Sequence, residues 1–364
     1  MEASMKPHVL IFPLPLQSTV NSMMKLAELL CLSGINVTFL NTKYNQQRLT
    51  SNTNVVSRIK RYTTGLFQFE TISDGLPDDH PRLVEHFPEI FNSLQAVAEP
   101  FFREKLKSSI RGEIEQPVTC VIAEGYHYYA IDVALDVGLP VYSFETISPC
   151  SLWAYLCLAN LVQEGELPIA ENELEKLVRN VPGMESFFRL RDLPVFCRGN
   201  FMDDPNYKLA VNDAGAVQRA NGLIVNTFQD LDDPVLYQLK TKAENLYAIG
   251  PVHRHLQLRL AGSVTQDCSS NSFWKEDDSC LKWLSGKAQK SVMLVSFGSL
   301  ARVTKDVLME FWHGLVDSGV FFLWVIRLDS LLNQNLGDDS YLKQLQKGTE
   351  GRGRFIYFLV WPAS

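Results

Sequence analysis

The sequence predicts an α/β protein made of two doubly wound parallel sheets in tandem. Three observations carry this. Two segments at opposite ends of the chain share one plan of strand, loop, helix, glycine and strand, which is how a βαβ unit is written. The strand-like segments are continuous apolar runs rather than alternating ones, as strands buried on both faces are. The length, 364 residues, suggests two domains at ~100–200 residues per domain.

The first unit opens with the apolar run from His8 to Pro13 and a loop through Thr19. A helical stretch follows with Leu26, Leu29 and Leu30 on one face, stopped by Ser33-Gly34, and then the run Ile35 to Leu40. Thr119 to Ala123 reads as the next strand, with a helix up to Gly138 and a further strand from Pro140 to Phe144. Gly222 to Phe228 is another strand, followed by the acidic stretch Gln229 to Asp233. Residues 261–272 hold almost no large apolar side chain and read as a linker. The second unit runs from Ser291 to Phe297, turns at Gly298, and forms a helix with Leu308, Phe311, Trp312 and Leu315 on one face. After Ser318-Gly319 it ends in the strand Val320 to Ile326.

The expected boundaries are residues 1–245 for the first domain, 246–290 for a linker region and 291–364 for the second. A doubly wound sheet wants about five or six strands, whereas the sequence after Ser291 supplies two or three. The chain is therefore expected to stop inside its second domain, with Phe355 to Trp361 left as an edge.

Composition narrows the function. Apolar residues are 46% and charged residues 21%, ordinary values for a cored protein. Lys+Arg 34 against Asp+Glu 41 gives a net charge of −7, which argues against nucleic acid or an anionic membrane as partner. A membrane span needs about 18–20 apolar residues, and the longest clear runs, Val320 to Ile326 and Phe355 to Trp361, fall far short. The N-terminus does not have the shape of a secretory signal. Seven cysteines with no C-x-x-C pair point to reduced thiols in the cytosol rather than a disulfide framework or a zinc site.

Ligands of open α/β sheets bind at the carboxyl ends of strands. The turn Ser296-Phe297-Gly298-Ser299 lies between a strand and a helix, where a glycine admits close approach and a serine near the helix start suits a phosphate. It also fits a plain turn. No dinucleotide fingerprint or P-loop occurs, so a nicotinamide dehydrogenase or P-loop ATPase lacks its phosphate cradle. Glu124 and His127, after the strand ending at Ala123, could move protons, or could be a dipole-favoured acid and a core histidine. Of the aromatics from Tyr126 to Tyr155 most are expected in the core, a few lining an apolar pocket.

Taken together, His8–Gln17, Asn21–Leu30, Val37–Leu49, Ile72–Arg82, Ala130–Ala134, Thr146–Ser148, Arg191–Arg198, Val225–Leu231, Tyr247–His253, Ser291–Ser299, Phe311–Leu315 and Phe322–Arg327 make the chain resemble a known family. It is similar to the plant family-1 UDP-sugar-dependent glycosyltransferases, close to the branch of the 7-deoxyloganetic acid (iridoid) glucosyltransferases, and C-terminally truncated. The resemblance implies a GT-B fold, with an N-terminal Rossmann-like domain holding a lipophilic acceptor and a second, incomplete one holding the UDP-sugar. It implies an inverting, metal-independent transfer in which the UDP-sugar is a co-substrate, no cofactor is bound, and the enzyme is a cytoplasmic monomer.

Position by position, the resemblance puts donor contacts at Thr146, Gly298, Ser299 and Trp361, and an acceptor pocket at Leu14, Leu16, Tyr126 and Tyr155. The family's base histidine falls at Thr19, and the aspartate that orients it falls at Glu124. A threonine hydroxyl does not replace an imidazole of pKa about 6.5 as a general base. Its loss typically costs ~10²–10⁴ in rate. Glu124, without its histidine, is expected to have nothing to orient. Transfer to an iridoid, terpenoid or flavonoid acceptor is thus expected to be impaired; the alternatives are a non-catalytic protein retaining the acceptor pocket, or Glu124 or His127 as a substitute base.

Overall fold

The computed structural model describes residues 7–63, 65–83, 86–261, 271–274, 279–298, 301–327, 345–349 and 351–358. The chain divides into two units, Met1–Leu76 with Pro88–Lys275, and Pro77–Phe87 with Glu276–Ser364.

The first unit is built on seven strands: β1 (His8–Phe12), β2 (Asn36–Thr42), β3 (Phe67–Ile72), β4 (Cys120–Glu124), β5 (Val141–Glu145), β6 (Gly222–Val225) and β7 (Leu246–Ala248). They pair in the order β3-β2-β1-β4-β5-β6-β7, every neighbour parallel. Helices α1 (Gln17–Leu32), α2 (Lys43–Asn52), α3 (Val55–Thr63), α4 (Phe87–Ile110), α5 (Tyr128–Asp136), α6 (Pro149–Gln163), α7 (Pro205–Arg219) and α8 (Gln229–Lys240) make the crossovers, and α9 (Val252–Leu260) follows β7. β1 and β4 are buried almost throughout because helices cover both faces, which is why both read as apolar runs. Gly34, in the left-handed region at φ 84°, closes α1 where a β-carbon would be strained.

Two apolar clusters flank the sheet. Val20, Met23, Met24 and Ala27 of α1 pack with Val37, Phe39, Val55 and Ile59. Leu152, Leu158 and Leu161 of α6 pack with Val217, Leu223, Leu236 and Leu239. Beneath the first cluster Arg58 forms a buried ion pair with Glu28 at 3.1 Å, and its guanidinium also donates to Asn271 Oδ1 at 2.7 Å. Tyr62 donates to the same carboxylate.

The stretch read as linker takes a different course over its first part. β7 pairs with β6, and α9 packs on α1. Gln17 donates to Asn271 O at 2.7 Å and accepts from Phe273 N at 2.6 Å, while Arg48 stacks over Trp274 at 4.7 Å. Pairing and stacking of this kind leave no signature in composition.

The second unit contains α10 (Ser279–Ser285), β8 (Val292–Ser296), α11 (Lys305–Asp317), β9 (Phe321–Arg327) and β10 (Gly353–Phe358). Its sheet runs β10-β9-β8, all parallel. Val303, Leu308, Leu315, Phe322, Trp324, Ile326 and Leu345 form its core. Gly319, at φ 70°, closes α11 as Gly34 closes α1. The two units thus repeat one βαβ plan. Among the described residues, no helix is long and apolar enough to cross a membrane and all six cysteines are free.

Candidate active site

In the seven-stranded sheet the chain winds one way from β1 through β2 to β3 and the other way from β4 through β5 to β7. The carboxyl ends of β1 and β4 are therefore the switch point, where diverging loops open a crevice. Three residues singled out by sequence meet there. Thr19 sits in the first turn of α1, Glu124 is the last residue of β4, and Thr146 follows the last residue of β5. Thr146 Oγ1 donates to Glu124 Oε1 at 2.9 Å, and Thr19 Oγ1 lies 3.4 Å from Thr146 Oγ1. The other Glu124 oxygen accepts from the Tyr126 backbone N–H at 3.1 Å. The expectation that Glu124 has nothing to orient is therefore corrected: it holds the Thr146 hydroxyl, and the Tyr126 N–H fixes its other oxygen. Thr19 is recessed, 2% exposed, while Thr146 is half-buried and reaches the surface.

Glu124 does not stand alone. Glu145, at the end of β5, and Asp213, on α7, are buried to the same degree. They converge on Gly125: a β-carbon built there would lie 2.0 Å from Glu145 Oε1 and 2.3 Å from Asp213 Oδ1. Only a glycine leaves room for the two carboxyls. Ser143 Oγ donates to Glu145 Oε1 at 2.5 Å, but Glu145 Oε2 and both Asp213 oxygens have no hydrogen-bond partner among the described residues. Burial disfavours the charged form, so Glu145 is pushed up to about 7. Burial and then the Glu145 charge push Glu124 well above the usual carboxylate range. Asp213 is raised by burial, then by Glu145 and Glu124. Such a cluster holds protons near neutral pH that isolated carboxylates would have lost.

Glu145 and Asp213 were missed by sequence reasoning, although each leaves a mark. Glu145 ends the apolar strand from Val141, and Asp213 lies on the helix face of Ala210, Ala214 and Val217, where a carboxyl has no business unless it is neutral or paired.

His127 is not at this site. It is fully buried, its ring stacked on Phe12 with centroids 4.0 Å apart and 5° between planes. Nε2 faces Pro13 O at 3.1 Å and so carries the proton; Nδ1 accepts from the Tyr129 hydroxyl at 3.0 Å. Burial lowers its pKa to about 4. With both nitrogens engaged inside the fold, His127 is a neutral core residue, which corrects its reading as a substitute base.

Of the residues expected to line an acceptor pocket, Leu14 is 3% exposed and belongs to the interior, a third correction. Leu16, Tyr126 and Tyr155 are half-buried, and the two phenols are hydrogen-bonded to each other. Burial raises both phenols.

In the second unit Gly298 follows β8 at φ 74°, exposed, with nothing among the described residues within 4 Å of where a β-carbon would be. Arg327 Nη1 lies 3.4 Å from its carbonyl oxygen as donor. Ser299 and Trp361 lie outside the described residues.

No family model matches the chain. It is 44% identical over 363 residues to the 7-deoxyloganetic acid glucosyltransferase of Catharanthus roseus, covering 99% of this chain and 74% of that protein. It is 36% identical over 332 residues to the myricetin 3-O-rhamnoside 1,2-glucosyltransferase UGT709G2 of Crocosmia x crocosmiiflora, covering 90% of this chain and 67% of the relative. Among solved structures it is similar to Os79 from O. sativa in complex with UDP, with a TM-score of 0.72 at 23% identity, over 96% of this chain and 73% of that one. That likeness shows the fold, two Rossmann-like sheets of GT-B type.

Proposed function

The chain belongs to the plant family-1 UDP-glycosyltransferases, and from that premise we propose that it moves a sugar, glucose first, from a UDP-sugar to a hydroxyl or carboxyl of a small apolar metabolite of the iridoid, terpenoid or flavonoid type, at a much reduced rate. In this reading residues 1–245 hold the acceptor, with Leu16, Tyr126 and Tyr155 against it, and residues 291–364 contribute donor contacts at Gly298, Ser299 and Trp361. The protein acts as a cytosolic monomer; the chemistry is metal-independent and the UDP-sugar is the only activated partner.

One observation carries the reading: Thr19, Thr146 and Glu124 meet at the switch point of the first sheet, where an open α/β sheet takes its ligand. The acceptor oxygen attacks the sugar's C1 while the bond from C1 to the diphosphate breaks, and the acceptor's proton must leave. An imidazole at position 19, held by the carboxyl at 124, would take that proton well. The Thr19 hydroxyl takes it poorly.

The test is Thr19→His, alone and with Glu124→Asp, assayed with UDP-glucose and a panel of iridoid, terpenoid and flavonoid acceptors. Position 19 already points toward the group that holds Glu124, so the histidine variant should gain roughly 10²–10⁴ in transfer rate. Wild-type turnover as fast as that of the variant would overturn the claim of impairment. The replacement at position 19 favours a second reading, a binding protein that has kept the acceptor pocket. Calorimetric binding of an aglycone without binding of UDP, and no transfer by either variant, would establish it.

A further inference from the structure

We propose that Thr146 is the residue that takes the acceptor's proton in the residual transfer, handing its own proton to Glu124, with Glu145 and Asp213 setting how readily Glu124 receives it. The inference rests on the reading of the chain as a glycosyltransferase and supplies the proton route that Thr19 does not.

Thr146 is the one member of the triad that is both half-buried and joined directly to a carboxyl. Its Oγ1 donates to Glu124 Oε1 at 2.9 Å and faces the Thr19 hydroxyl with one lone pair, which leaves the other to accept from an incoming hydroxyl. Thr19 Oγ1, 3.4 Å away and recessed, borders the same oxygen and limits where Thr146 can turn. Glu124 is pinned from its other side by the Tyr126 N–H at 3.1 Å, so its Oε1 stays aimed at Thr146.

The acceptor oxygen bonds to C1 as the electron pair of the C1–O bond departs with UDP. The acceptor's proton moves to Thr146 Oγ1, and the hydroxyl proton of Thr146 moves to Glu124 Oε1, leaving Thr146 neutral and Glu124 a carboxylic acid. Glu124 then loses its proton to solvent before the next turnover.

The route explains why a carboxyl so deeply buried is tolerated. The groups around Glu124 are the Tyr126 N–H on its own loop, Glu145 at the end of β5, Thr146 just after it with Thr19 of α1 behind its hydroxyl, and Asp213 from α7, and the two carboxyls repel its charge. A base whose charged form is disfavoured holds a proton more strongly once it has one.

The experiment compares Thr146→Val and Thr146→Ser in the full chain, with circular dichroism as the check on folding. The valine variant should lose at least tenfold in the kcat of residual transfer with the KM for UDP-glucose unchanged, and serine should restore it. In Glu145→Gln the rising limb of the pH–rate profile should move to lower pH, because a negative neighbour of Glu124 is gone. A valine variant with unaltered kcat, or with a raised KM alone, would show that Thr146 serves only to hold the sugar and would overturn the relay.

A second readout needs no turnover. The infrared carboxyl band assigned to Glu124 by its loss in Glu124→Gln should shift in Thr146→Val and stay put in Thr146→Ser; no shift overturns the contact. If the wild-type chain transfers nothing while Thr19→His transfers well, the relay falls and the family function stands. If neither transfers, the function itself falls, and the infrared band alone decides whether Thr146 holds Glu124.

Discussion

Glu145→Gln tests the buried carboxyl cluster through stability as well as rate. In the folded chain Glu145 is held at about 7 against an ordinary value of 4.5, because burial penalises its charge. A group whose pKa is raised by folding favours the folded state most below its unfolded pKa, and that advantage is lost as pH rises through the folded pKa. The window is therefore about 4.5 to 7. A shift of that size corresponds to roughly 3 kcal/mol between pH 4.5 and pH 8, at 1.36 kcal/mol per pKa unit. Glutamine keeps an acceptor for Ser143 Oγ and brings an amide that can donate toward the unpartnered Asp213 carboxyl. The variant should match wild type near pH 4.5 and exceed it by about 3 kcal/mol near pH 8. Urea unfolding of both chains at the two pH values, followed by circular dichroism, measures the difference. A stability gap that is the same at both pH values, or a variant weaker at pH 8, would refute the placement of an uncompensated carboxyl beside Gly125.

Two further outcomes follow from other buried groups. His127 has its pKa lowered to about 4 by burial, so its share of stability is whole above pH 6.5 and lost as pH falls toward 4. Wild type should lose about 3 kcal/mol across that interval from this group, and His127→Gln should lack that component in a urea titration over pH. Arg58→Met leaves the Glu28 carboxylate, 0% exposed in its side chain, without its guanidinium; unfolding measurements should show a loss of roughly 3–5 kcal/mol, much of it recovered by Glu28→Gln in the same chain.

Much of the sheet was legible because its central strands are buried on both faces and must be apolar throughout: His8–Phe12, Cys120–Glu124 and Val141–Glu145 could hardly be read otherwise. The strands that escaped are the edges. β3 has exposed and half-buried positions in its middle, and β7 is three residues long and mostly exposed. An edge strand needs less apolar surface, so its signal is weaker.

At the site the division is sharper. The sequence alone determined the two βαβ plans, the family, and the replacement of an imidazole by the Thr19 hydroxyl, because each is a matter of which residue stands where along the chain. Tertiary structure decided what those residues do. It turned His127 inward onto Phe12, gave Glu124 two donors from 22 and 2 residues away, and brought Glu145 and Asp213 onto one glycine. Whether a carboxyl is a surface charge or a buried proton holder depends on the water and the charges around it, and those are set only when β4, β5 and α7 come together.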